Sequence, residues 1–166
     1  MKKTLIVVDM QNDFIDMALG TKEAVAIVPN VKAKIQEYVQ NSDEIIFTRD
    51  THFENYLNTT EGKHLPVPHC IKDTKGWEIA DGLYVEGAKI IDKPNFGWPH
   101  WNEENLESVE LIGLCTDICV VSNALIIKAT FPDAQVKVDS ACCAGVTPES
   151  HDAALKTMQM CQVEVV

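Results

Sequence analysis

Short apolar runs alternate with longer segments of mixed polarity along this chain. The first run, Thr4–Val8, is continuous and rich in β-branched residues, which is typical of a strand buried on both faces. Runs of the same kind recur at Glu44–Thr48, Lys89–Ile91, Val109–Gly113, Val136–Val138 and Val163–Val166. The pattern therefore predicts six strands.

Three of the intervening segments have the periodicity of helices. In Ala24–Val39, apolar residues lie four positions apart, at Ile27, Val31, Ile35 and Val39. Thr116–Ala129 is the second helical segment. The third is Pro148–Met160, where we expect Thr147 to be the N-cap and Pro148 to occupy the first helical position.

The alternation of strands and helices predicts one α/β domain over residues 1–166. Strand–helix–strand units connect parallel strands by right-handed crossovers. We therefore expect an open, Rossmann-like parallel sheet of about six strands with helices on both faces. Residues 51–88 hold no long periodic segment, and a stretch of this length is usually functional.

Composition and charge restrict the classes of partner. With 14 basic and 25 acidic residues among 166, the net charge is −11, which argues against binding to nucleic acid or to anionic lipid. The first apolar run ends at Asp9, too early for a signal peptide, and no run approaches the ~20 residues of a membrane helix. We expect a cytoplasmic protein whose six cysteines are reduced.

Reactive residues follow four of the predicted strands. Ligands of open α/β sheets bind at the carboxyl ends of the strands. Asp9 follows the first strand, Asp50 and His52 the second, Lys93 the third and Cys119 the fourth. These side chains are therefore expected to converge on one edge of the sheet.

Cys119 is the candidate nucleophile. It lies in the expected first turn of a helix capped by Thr116 or Asp117, where N–H groups favour a thiolate and can bind an oxyanion. Asp9 is the candidate general base, and the ammonium of Lys93 would stabilise the thiolate and the oxyanion. The alternatives are an inert buried cysteine, a structural carboxylate and a solvated surface lysine.

A carboxylate and two imidazoles form a candidate metal site. Asp50, His52 and His69 suit zinc, iron or manganese, and either Glu61 or His64 is the fourth ligand. The alternative is that these are scattered surface histidines.

Aromatic side chains near these residues are candidates for the wall of a substrate pocket. They are Phe14, Phe96 and Trp98, and Trp101 fits either the pocket or the core.

Five segments together resemble the isochorismatase-like cysteine hydrolase superfamily and, within it, the nicotinamidases. They are LIVVDMQNDF, TRDTHF, PHCIKDTKGWEI, DKPNFGW and GLCTDICV, and they occur in the order and at about the separations of that family. The resemblance covers nearly the whole chain. One departure precedes His69, where many nicotinamidases have aromatic-Pro-Pro-His and this chain has Leu-Pro-Val-Pro-His.

The resemblance implies roles for individual residues. It implies a catalytic triad of Asp9, Lys93 and Cys119. It implies one divalent metal, with zinc as the first candidate, held by Asp50, His52 and His69 and, in some nicotinamidases, by a glutamate that corresponds to Glu61. It also implies a cis peptide bond at Leu114–Cys115 that would aim the N–H groups of Cys115 and Cys119 at the oxyanion.

The implied function is metal-dependent hydrolysis of a small linear amide through a thioester on the cysteine. The first candidate reaction converts nicotinamide to nicotinate and ammonia, in NAD salvage, and the implied assembly is a homo-oligomer, either a dimer or a tetramer. One alternative is a related hydrolase that acts on another small amide or, without a metal, on isochorismate. Another is a non-catalytic metal- or redox-binding module in which Cys115 and Cys119 form a regulatory pair.

Overall fold

Six parallel strands form the sheet that the apolar runs predict. The computed structural model describes residues 1–166, and the strand order is β3-β2-β1-β4-β5-β6. The strands span β1 Lys3–Val8, β2 Glu44–Asp50, β3 Lys89–Lys93, β4 Ser108–Leu114, β5 Gln135–Ala144 and β6 Glu164–Val165. The predicted fold class is confirmed.

Five α-helices accompany the sheet. They are α1 Asn12–Ile15, α2 Lys22–Gln40, α3 Thr60–His64, α4 Val121–Thr130 and α5 Pro148–Met160. Short 3₁₀ turns lie at Tyr56–Asn58 and Trp101–Glu103, and a π-helical turn spans Thr116–Val120. No helix combines the length and the apolar character needed to cross a membrane.

Alternate residues of each central strand face two separate apolar layers, because successive side chains of a strand point to opposite faces of the sheet. Leu5 and Val7 of β1 pack on the side of α2, whereas Ile6 and Val8 pack on the side of α4 and α5. All four side chains are fully buried. The continuous apolar run in the sequence is therefore explained by cover on both faces.

The buried stripe of α2 differs from the prediction at one position. Ile27, Val31 and Ile35 are buried as expected, but Val39 is 47% exposed and Tyr38 takes its place in the core. A helix turns about 100° per residue, so each four-residue step rotates the side chain by roughly 40°. By Val39 the accumulated rotation has carried the side chain to the solvent.

The start of α5 is as predicted. Thr147 is the N-cap and its side chain accepts a hydrogen bond from the N–H of Ser150 at 3.1 Å, while Pro148 is the first helical residue. Pro148 has no N–H to leave unpaired there.

Candidate active site

The carboxyl ends of β1 to β4 bring the candidate reactive residues to one edge of the sheet. Asp9 follows β1, Asp50 ends β2 and Lys93 ends β3. Cys119 lies in the π-helical turn after β4. Each of these four side chains is less than 5% exposed, so the group is buried beneath the surface at this edge of the sheet.

Asp9 and Lys93 form a buried ion pair. The Nζ of Lys93 donates hydrogen bonds to Oδ2 of Asp9 at 2.6 Å and to the carbonyl of Asn95 at 3.2 Å. The hydroxyl of Thr48 donates to the other carboxylate oxygen of Asp9 at 2.7 Å. Burial raises the pKa of Asp9, and the charge of Lys93 opposes this shift only in part. A carboxylate with a raised pKa is suited to accept and return a proton.

The thiol of Cys119 lies close enough to Asp9 and Lys93 for both charges to affect its pKa. Its pKa is raised well above the ordinary cysteine value, first by burial and then by the charge of Asp9, and the charge of Lys93 lowers it less. The setting favours a neutral thiol at rest, contrary to the resting thiolate that the sequence position predicts. Burial and the charge of Asp9 outweigh the charge of Lys93, so a base is needed to ionise the sulfur.

Neither Thr116 nor Asp117 caps the helix, and that prediction is wrong. The hydroxyl of Thr116 is hydrogen-bonded to Nδ1 of His151 at 2.7 Å. The carboxylate of Asp117 accepts hydrogen bonds from the N–H of Val146 at 3.2 Å and from the hydroxyl of Ser150. Both side chains reach across to the start of α5 and tie the turn that carries Cys119 to it.

The backbone before this turn has the geometry that the resemblance implies. The Leu114–Cys115 peptide bond is cis. The N–H of Cys115 donates no hydrogen bond within the chain. Both Cys115 and Cys119 line the same cavity. A donor with no internal partner is therefore available to an oxygen atom bound beside Cys119.

Four potential metal ligands converge next to the ion pair. One donor atom from each of Asp50, His52, Glu61 and His69 lies within 4.8 Å of all the others. Nε2 of His52 lies 2.9 Å from Oδ2 of Asp50 and 3.6 Å from Glu61. Nε2 of His69 lies 3.5 Å from Oδ2 of Asp50 and 3.9 Å from Glu61. These spacings surround the ~3.4 Å expected between ligands of a tetrahedral ion with bonds of about 2.1 Å.

The chemistry of the donor set also fits a cation. Oδ1 of Asp50 is buried and has no hydrogen-bond partner, which is rare for a buried carboxylate. Burial raises the pKa of Asp50, but hydrogen bonds from His52 and His69 outweigh it and hold this pKa below its ordinary value. Nδ1 of His69 donates to the carbonyl of Val67 at 2.8 Å, so Nε2 is the ring nitrogen that faces Asp50 and Glu61. His64 is exposed and points to the carbonyl of Thr60, so Glu61 is the better-placed fourth ligand.

Two supporting residues were not found by sequence reasoning. The side-chain amide of Gln11 accepts from the N–H of Asp50 at 2.8 Å and donates to its carbonyl at 2.9 Å. The carboxylate of Asp13 accepts from the N–H of Cys70 at 2.7 Å, next to His69. Both belong to the segment DMQNDF, in which a polar residue at every second position after a buried strand was the available signal.

A cavity of about 280 Å³ opens above these groups. Asp50, Glu61, His69 and Cys119 contribute its polar wall, and Phe14 and Phe96 line it as expected. Trp98 does not, so the expectation is not met there: its side chain packs against the layer around α4. Trp101 is fully buried and donates to Asn123, so its role is in the core.

Comparisons with known proteins show what this chain is similar to. The model of the isochorismatase domain family matches residues 3–166. The nicotinamidase of Schizosaccharomyces pombe is 24% identical over 98% of this chain and 91% of that protein, and the nicotinamidase/pyrazinamidase of Mycobacterium tuberculosis is 25% identical over 99% and 98%. The crystal structure of the pyrazinamidase of Pyrococcus horikoshii in complex with zinc is 28% identical, with a TM-score of 0.86 over 100% of this chain and 99% of that one.

Proposed function

This chain belongs to the isochorismatase domain family, and from that premise we propose that it is a metal-dependent cysteine amidohydrolase. The first candidate substrate is nicotinamide, because several similar proteins are named nicotinamidase or pyrazinamidase. The observation that carries the proposal is the buried Asp9–Lys93 pair, which lies next to a buried thiol and a group of four metal-type ligands. Each feature alone has a structural explanation, whereas amide hydrolysis uses all of them together.

The first half of the reaction forms a thioester. Asp9 removes the proton of the Cys119 thiol, and the sulfur attacks the carbonyl carbon of the amide. The N–H groups of Cys115 and Cys119 and the ammonium of Lys93 stabilise the charge on the carbonyl oxygen. The C–N bond then breaks, and ammonia leaves with the proton that Asp9 holds.

The second half restores the enzyme. Asp9 takes a proton from a water molecule, whose oxygen attacks the thioester carbon. The C–S bond breaks, the carboxylic acid is released and the sulfur recovers its proton from Asp9. Lys93 keeps Asp9 correctly placed in both halves because its ammonium bonds directly to that carboxylate.

The residues that would hold a divalent ion are Asp50, His52, Glu61 and His69, with zinc as the first candidate. When bound, such an ion accepts a lone pair from the substrate and so fixes its orientation. Asp50 also brings negative charge close to Asp9, and this charge contributes to the raised pKa of the Asp9 carboxyl group. A cation among these ligands would offset that charge.

The test is release of ammonia and nicotinate from nicotinamide by the zinc-loaded protein. We expect Cys119→Ala to lower kcat/KM at least about a thousandfold, because the variant loses the thiol that is hydrogen-bonded to the proposed base Asp9. Cys161→Ala is the matched control, since Cys161 is an exposed cysteine outside the cavity. Equal rates for wild type and Cys119→Ala would refute the mechanism.

A further inference from the structure

The cavity beside Cys119 has an apolar half that the steps above do not use. The metal-type ligands surround Asp50 at the end of β2. Cys119 follows β4, and Gly145 and Val146 follow β5. In the sheet these strands stand in the order β2-β1-β4-β5, with about 4.8 Å between neighbours. The cavity therefore spans roughly 14 Å along the edge, and it continues past the nucleophile.

The walls of this second half are apolar and come from three segments. α2 packs chiefly against β5. This brings Ala24, in the first turn of α2, and Leu19, which precedes the helix, to the same side of the cavity as Val146. Ile118, from the turn before Cys119, completes this half. Ala24 contributes only a methyl group, so it leaves space where most apolar residues would fill it.

The leaving nitrogen of the substrate has little freedom. Asp9 receives the thiol proton and must deliver it to this nitrogen, so the nitrogen lies against Asp9 and Lys93. Both side chains are 0% exposed and neither lines the cavity, so a substituent on the nitrogen would have to occupy space that the structure does not have beside them. The rest of the cavity is available to the acyl part of the substrate alone.

We propose that the substrate is a primary carboxamide whose acyl group carries an apolar substituent, bound between Leu19, Ala24, Ile118 and Val146. This inference rests on the proposed amidase function. A single-ring carboxamide such as nicotinamide occupies about 150 Å³ at the packing density of an organic crystal. That is roughly half of the 280 Å³ cavity, so the remainder holds about four carbon atoms. Val146 is 54% exposed at the mouth, and the substituent would shield it from water.

The experiment compares two series of nicotinamides, one alkylated on the ring and one alkylated on the amide nitrogen, with chains from methyl to butyl. Nicotinate-type product is measured for both. For the best ring position we expect kcat/KM to rise about three- to fourfold per added methylene, as burial of a methylene predicts. The series alkylated on nitrogen should not be hydrolysed.

The variant Val146→Trp narrows the apolar half from its mouth. We expect it to reduce the butyl-to-methyl ratio of kcat/KM to about one. Val25→Trp is the matched control, because Val25 is 48% exposed on α2 and lies outside the cavity, and it should retain the wild-type ratio. Calorimetry with the Cys119→Ala protein measures the binding affinity of the same ring-alkylated series, and therefore the contribution of the apolar half, in the absence of turnover.

The outcomes separate the two claims. If nicotinamide is hydrolysed but kcat/KM is flat or falls along every ring series, the inference is wrong and the proposed function stands. Preference for the series alkylated on nitrogen also overturns the inference. If no carboxamide is hydrolysed, the proposed function is wrong. If, in addition, the affinity of the Cys119→Ala protein for the ring-alkylated series does not increase with chain length, the inference is wrong as well.

Discussion

Two groups of buried charge lie toward opposite edges of the sheet, and they are satisfied in different ways. At the amino edge, Glu110 accepts a hydrogen bond from the hydroxyl of Tyr38 at 2.8 Å and lies 3.0 Å from Nζ of Lys34. Lys34 also lies 3.1 Å from Asp139. Tyr38 and Lys34 face different carboxylate oxygens of Glu110, and the oxygen that faces Lys34 is ion-paired with it but accepts no hydrogen bond. Each charge of this group therefore has an opposite charge beside it within the chain.

The group at the carboxyl edge keeps unused bonding capacity. Oδ1 of Asp50 and the N–H of Cys115 have no partner within the chain, and both residues line the cavity. Charge that is fully paired holds secondary structure together, whereas charge left partly unpaired beside a cavity is typical of a site that binds something. Burial alone therefore does not indicate a binding site, whereas a buried polar atom that has neither a hydrogen bond nor an opposite charge beside it does.

The largest expected contrast comes from removing the lysine of each group. Lys93→Met should lower kcat/KM for the amide about a thousandfold or more, because Asp9 loses its partner and the oxyanion loses a cation. Lys34→Met should leave kcat/KM within about twofold and lower the free energy of unfolding by ~1–3 kcal/mol, since it leaves a buried carboxylate poorly paired. Steady-state kinetics and urea denaturation measure the two effects. A large loss of activity in folded Lys34→Met protein would contradict the assignment of a purely structural role to the group at the amino edge.

The next contrast concerns the fourth metal ligand. Glu61→Gln should weaken zinc binding by roughly 100-fold, at or above what supporting residues of such sites contribute. His64→Asn should leave the affinity unchanged, because its ring points away toward Thr60. Competition with a chromophoric chelator gives both dissociation constants. The reverse ranking would assign the ligand role to His64.

A smaller effect is expected from the amide that holds Asp50 in place. Gln11→Leu should weaken zinc binding about 10-fold, because the backbone of Asp50 loses two hydrogen bonds. Gln36→Leu, at an exposed position on α2, is the control. The zinc titration and the KM for the amide should change together, while far-UV circular dichroism stays the same. Unchanged zinc affinity in the Gln11 variant would show that Asp50 needs no such support.

The smallest expected effect is a pH dependence of the stability contributed by Tyr38 at the amino edge. Burial first, and then the bond to Glu110, raise the pKa of Tyr38 above its ordinary value near 10. Its contribution to stability is present below pH 10 and is lost as the pH rises toward the folded-state pKa, because the unfolded state ionises first. Tyr38→Phe should therefore be less stable by about 1 kcal/mol at pH 7, with a smaller difference at pH 11. Urea denaturation at both values measures the change, and a difference that grows with pH would reverse the assigned sign.

The strands and helices of the fold could be predicted from the sequence because each follows from local periodicity. The buried run Thr4–Val8 and the Thr147-Pro148 start of α5 need no long-range information. The polar residues after each strand could be assigned to one edge, since all parallel strands end on the same side.

The incorrect predictions concern residues that can form hydrogen bonds either with local or with distant partners. Thr116 and Asp117 have good capping chemistry, but His151 and Ser150 lie within reach once α5 has packed. Trp98 likewise has a distant partner, because the side-chain oxygen of Asn123 accepts a hydrogen bond from its backbone N–H. Neither partner is visible from sequence spacing.

The ion pair at the floor of the site joins residues that are 84 positions apart in the chain. It forms only when β1 and β3 have both docked onto β2, which lies between them. Contacts of such long sequence separation come at a high loop-closure cost and form slowly. Recovery of catalysis during refolding should therefore lag behind recovery of helical signal, so that turnover reports the arrival of the last strands.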